Sequence, residues 1–89
     1  MTTKPPPAVI NAPGDSVESI AYKAVSGIPT ADGHDRDRLG YNIYRWLMYR
    51  KDPLEIAVRT AGSRLQISEE EAVGRIRESL RKQGVPDVD

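Results

Sequence analysis

The sequence predicts an all-α fold, a compact bundle of about four short helices behind a flexible proline-rich lead-in. Three observations carry this expectation. Apolar residues recur at helical spacing in four separate segments, capping or terminating residues bound those segments, and no useful length of chain alternates as a half-buried strand would. The chain divides into a lead-in over residues 1–13, a helical domain over 14–85 and a short acidic tail over 86–89.

Residues 1–13 carry Pro5, Pro6, Pro7 and Pro13 without periodicity, which reads as disordered or polyproline-like chain. The first helix is expected to begin at Asp15 or Ser16, because Asp15 and Glu18 have capping-box spacing. Val17, Ile20, Ala21, Ala24 and Ile28 follow at helical spacing, and Gly27 with Pro29 marks the stop. Asp32-Gly33 signals a turn, and Asp35 or Asp37 is expected to cap the second helix.

The second helix carries two apolar stripes. Leu39, Ile43, Trp46 and Leu47 share one arc at about 100° per residue, while Tyr41, Tyr44 and Met48 share another roughly half a turn away. Asp52-Pro53 ends this helix and opens the third, with Asp52 and Glu55 again at capping-box spacing. Leu54, Val58, Ala61 and Leu65 make the third stripe, interrupted by Gly62. Ser68 caps a fourth helix with Glu71 completing Ser-x-x-Glu; Val73, Ile76 and Leu80 form its stripe, and Gly84-Val85-Pro86 closes it.

Eighty-nine residues allow one domain, and a core of this size supplies only about 3–5 kcal/mol, so burying more surface against a partner or a second copy would help it. With no cysteine, disulfides, thiolate zinc sites and cysteine nucleophiles are excluded. No apolar run approaches the roughly 20 residues of a membrane span, and residues 1–13 lack the pattern of a secretion signal, so an intracellular, cytoplasmic location is expected.

Formal net charge is zero, which argues against general attraction to nucleic acid. The charge is nevertheless uneven. Residues 36–51 hold five basic residues and one acid, a local +4, whereas acids gather at Glu69, Glu70 and Glu71 and at the C-terminal end.

Little in the chain points to chemistry. Asp32, His34, Asp35 and Asp37 form the densest polar cluster, but their spacing matches no zinc or calcium pattern and no second histidine completes a catalytic set. Turn and cap roles account for those residues, and the three glutamates suit the first turn of a capped helix. No phosphate loop or serine nucleophile motif is present. The expectation is therefore a non-enzymatic protein without cofactor or metal.

What remains is binding. Trp46 is expected to anchor the core, and the second stripe of the same helix is expected to meet a protein partner through Tyr41, Tyr44, Arg45 and Met48, in a regulatory or adaptor role. Self-association through that surface is a variant. The competing expectation is a DNA-binding regulator with a degenerate helix-turn-helix over residues 53–84, using Arg75 and Arg77, or using Arg38 and Arg45 of the second helix. Against the helix-turn-helix, the first turn of its recognition helix would present Glu69, Glu70 and Glu71 to phosphates.

Overall fold

The computed structural model describes residues 16–88. The proline-rich residues 1–13, Asp15 as a helix cap and Asp89 lie outside the described residues. Within them the chain forms α1 (Val17–Val25), α2 (Gly33–Tyr49), α3 (Leu54–Thr60) and α4 (Glu69–Lys82), with no strand beyond one isolated antiparallel bridge between Thr30 and Leu65. The all-α expectation holds. α1 lies against α2 and α4, and α3 lies against the same two helices, so the four close a ring around one core.

Polar side chains set where the helices begin. Ser16 Oγ accepts from the Ser19 amide at 3.0 Å, and Ser68 Oγ accepts from the Glu71 amide at 3.0 Å, each satisfying an orphan donor of the first turn. The Glu71 carboxylate turns instead to Arg75, 2.6 Å away. α2 begins earlier than its sequence suggests. Asp32, not Asp35 or Asp37, is its cap, with Oδ1 accepting from the Asp35 amide at 3.0 Å. Asp-Gly at this position serves as a cap followed by the first helical residue rather than as a free turn. α3 is capped by Pro53 with no side-chain hydrogen bond, so the Asp52–Glu55 box does not form.

The ends of α3 and α4 follow from glycine, whereas α2 ends on Arg50 in the left-handed conformation. Gly62 sits at φ +68°, the left-handed conformation that terminates a helix cheaply only without a Cβ. It stops α3 at Thr60 instead of interrupting a longer helix, and Leu65 leaves the helical stripe for the bridge with Thr30. Gly84 at φ +91° closes α4 in a Schellman arrangement: its amide donates to the Arg81 carbonyl and that of Val85 to the Leu80 carbonyl, both at 3.0 Å.

The core is one cluster. Ile20, Leu39, Ile43, Leu47, Leu54, Ile76 and Leu80 are fully buried at its centre, and Trp46 is 8% exposed at its edge. The first stripe of α2 is thus the core stripe. Trp46 Nε1 donates to the Asp52 carbonyl, and the Arg50 guanidinium lies over the indole, 4.3 Å from the ring centroid. Residues 86–88, set apart above as an acidic tail, pack back onto the domain. Val88 is 3% exposed, Arg77 Nε donates to its carbonyl at 2.8 Å, and Arg50 reaches the carbonyls of Pro86 and Asp87.

Where α1 crosses α2, the Tyr22 ring lies on Gly40. A Cβ at position 40 would sit 2.5 Å from Cδ1 and Cε1 of that ring. Gly40→Ala adds about 1 kcal/mol of helix propensity but forces overpacking of about 1–3 kcal/mol, a net loss of up to about 2 kcal/mol. In a Tyr22→Ala background the same change should become stabilising. Urea unfolding of the four members of this cycle checks both signs.

A second junction joins the two long connections. The Ala31 amide donates to the Arg64 carbonyl at 2.9 Å and the Gln66 amide to the Pro29 carbonyl at 3.0 Å. Above this pairing, Arg64 Nε donates to Oδ2 of the buried Asp35 at 3.0 Å, while its Nη2 meets Asp35 and Asp32 at 2.9 and 3.2 Å. Burial alone would raise the Asp35 pKa, but hydrogen bonds and charge from Arg64 outweigh it and hold the carboxyl below its ordinary value. A carboxyl with a depressed folded pKa contributes stability above its unfolded pKa and loses it as pH falls through the folded one. Asp35→Asn is therefore expected to lower the melting temperature at neutral pH and to flatten the loss of stability below about pH 4, read from melts between pH 2 and pH 7.

Candidate functional site

The solvent face of α2 is built by helical spacing. Arg38, Tyr41, Arg45 and Tyr49 follow one another at three or four residues and form a single outward ridge. Tyr41 is 53% and Tyr49 62% exposed, although each could bury a large apolar ring. They stand about 12 Å apart along the helix axis, with Arg45 between them. Tyr44 and Met48 are half-buried on the flank; Tyr44 packs against the core while its ring centroid is 6.2 Å from that of Tyr41.

The four residues expected to bind a partner, Tyr41, Tyr44, Arg45 and Met48, thus share one side of α2 but differ in exposure. Tyr49 belongs to the ridge more fully than Tyr44 or Met48. Its exposure follows from its register, one turn beyond Arg45, which places it clear of both apolar stripes.

Beside the ridge runs a groove between α2 and α3 of about 210 Å³. Its floor is Trp46 and Ala57, its walls include Asn42 and Thr60, and Arg45, Tyr49, Lys51 and Asp52 rim it. Asn42 Nδ2 donates to the Ala57 carbonyl at 3.0 Å and to Thr60 Oγ1 at 3.1 Å, which fixes the spacing of the two helices here. The α3 side of this groove is invisible to sequence reasoning, because nothing in the spacing along α2 reveals which helix will lie against it.

The cations differ in what engages them: Arg36 and Arg50 reach backbone carbonyls, and Lys82 on α4 meets no partner among the described residues. In the C-terminal half, Arg59 meets Glu69 at 3.4 Å, Arg64 meets Asp32 and Asp35, Arg75 meets Glu71, Arg77 meets Glu55 at 3.2 Å, and Arg81 meets Glu78 at 2.9 Å. Arg77 also draws the Glu55 pKa down, behind a larger effect of a backbone hydrogen bond. On α2 and just beyond it, Arg45 and Lys51 make no hydrogen bond or ion pair with any described residue, and Arg38 reaches only the Gly62 carbonyl at 3.5 Å.

This division bears on the residues set out for nucleic acid. Arg38 and Arg45 stand on one ridge, whereas Arg75 and Arg77 of α4 are held by carboxylates. Residues 61–68 connect α3 to α4, longer than the three- or four-residue turn of a helix-turn-helix. The polar cluster near His34 is also separated: Asp32 and Asp35 face Arg64, while His34 is exposed. Among the described residues, no group of three or more histidine, aspartate or glutamate side chains is placed to hold a metal, and no helix is long and apolar enough to cross a membrane.

No family model, curated protein or solved structure matches the chain.

Proposed function

We propose that this protein is a small non-enzymatic binding module, regulatory or adaptor in role, that engages another protein through the solvent face of α2. The observation that carries this reading is the pair of exposed tyrosines, Tyr41 and Tyr49, flanking an Arg45 guanidinium that no described residue engages. Tyrosine and arginine supply large contact area and directional hydrogen bonds, and they are the residue types most often found as interface anchors. Trp46, one residue from Arg45 and locked in the core, holds the helix in register.

Site-specific photocrosslinking in cells tests the proposal. A photoreactive side chain at position 45 should give a discrete protein adduct that the Tyr41→Ala/Tyr49→Ala variant loses, while one at Glu70 on α4 gives none. Because both tyrosines are exposed, that double variant should change stability by no more than about 0.5 kcal/mol. An adduct of twice the chain mass would identify the partner as a second copy. Equal labelling from positions 45 and 70, or none from 45, would remove the reading.

A second reading, single-stranded nucleic acid on the same ridge, is favoured by Arg45 and Lys51, which no described residue engages, beside stackable tyrosines. Its mark would be affinity for an oligonucleotide that falls steeply with salt.

A further inference from the structure

Resting on the assignment of α2 as the binding face, we infer that the α2–α3 groove receives an acidic segment of the partner protein. A carboxylate of that segment bridges Arg45 and Lys51, and a neighbouring apolar side chain lies over Trp46 and Ala57. The charge distribution carries the argument. Among the described residues Arg59, Arg64, Arg75, Arg77 and Arg81 each meet a carboxylate, whereas Arg36, Arg38 and Arg50 reach backbone carbonyls instead. Arg45, Lys51 and Lys82 meet no hydrogen-bonding or ionic partner among the described residues, and of these three Arg45 and Lys51 stand together at this groove.

The groove itself limits the ligand. One carboxylate, Asp52, stands at its rim against two cations, so it stays net positive, enough for one or two partner carboxylates. A nucleic acid backbone would need a row of cations along several nucleotides. Beyond Arg45 and Lys51 the ridge adds only Arg38, with Asp37 exposed beside it, on a chain whose formal net charge is zero. Trp46 and Ala57, both almost fully buried, give the groove a small apolar floor, and its volume of about 210 Å³ has room for one or two side chains.

Trp46 is the sole tryptophan, so its fluorescence reports on the groove without a label. The full chain is titrated with a short Glu/Leu peptide, with the same peptide carrying Gln for Glu, and with a thymidine oligonucleotide. A saturable change in Trp46 emission with the Glu peptide, absent with the Gln peptide, is expected. Arg45→Gln and Lys51→Gln should each weaken it about tenfold, the effect of removing one charge-assisted contact. Both side chains are exposed, so circular dichroism should match the parent.

No saturable change, equal binding of the Gln peptide, or binding of the oligonucleotide alone would overturn the inference. Its failure is separable from that of the α2 interface. If the adduct at position 45 depends on Tyr41 and Tyr49 but the Glu peptide leaves Trp46 unchanged, the interface stands and the acidic ligand falls. If neither is seen, both fall.

Discussion

Trp46→Ala is expected to abolish cooperative folding. The indole is 8% exposed, closes the edge of the core, donates to the Asp52 carbonyl at the start of the connection to α3, and carries the Arg50 guanidinium on its face. Truncating a buried tryptophan costs about 3–5 kcal/mol. A domain of this size holds a margin of about the same magnitude, so little would remain. Thermal and urea unfolding followed by far-ultraviolet circular dichroism should show a sloping, non-cooperative loss of helix signal. Trp46→Phe separates the contributions: it keeps a buried ring but leaves the Asp52 carbonyl without its donor. A loss of about 1–2 kcal/mol is expected, with a sharp transition retained. A cooperative melt of Trp46→Ala near that of the parent would show that α2 is held by the aliphatic core alone.

The second large effect falls on the C-terminal residues. Deleting residues 86–89 would leave a solvated tail's stability unchanged. The packed Val88, 3% exposed, predicts otherwise. Burying a valine is worth about 1.5–2 kcal/mol, and the deletion also strips Arg50 and Arg77 of the carbonyls they hold. A fall of about 2 kcal/mol follows, or about 8–16 °C in melting temperature for a domain of this length. The Schellman closure of α4 is spared because Gly84 and Val85 remain. Calorimetry of the truncated and full chains decides it, and coincident melts would return these residues to the role of a free tail.

The C-terminal prediction touches a place where local pattern and tertiary structure part company. Val88 is a lone apolar residue between two aspartates after a proline, and no periodicity marks it as core. It is buried where Arg50, in the left-handed conformation at the end of α2, holds the Pro86 and Asp87 carbonyls and Arg77 on α4 holds that of Val88, so two helices grip three successive carbonyls. Gly62 shows the converse. Its neighbours keep helical spacing as far as Leu65, so the stripe looks continuous. The backbone nevertheless turns left-handed there, and the following residues pair with the α1–α2 connection instead. Asp35 looked like a cap by residue type, yet it lies inside α2, buried under an arginine far along the chain.

The sequence by itself determined the helical class, the apolar stripes of α2 and α4 and most of those of α1 and α3, the serine cap of α4, and the doubled character of α2 with Trp46 on its core side. These are matters of local spacing, and a helix places residues three and four apart on one face whatever surrounds it. The tertiary structure alone decided which residues of the second stripe reach solvent and which cations find a partner among the described residues. Tyr44 and Met48 are half-buried while Tyr41 stands clear; Arg75 and Arg77 meet carboxylates while Arg45 and Lys51 meet none among the described residues. Exposure and charge pairing depend on neighbours brought from distant segments, and long-range packing is what supplies them.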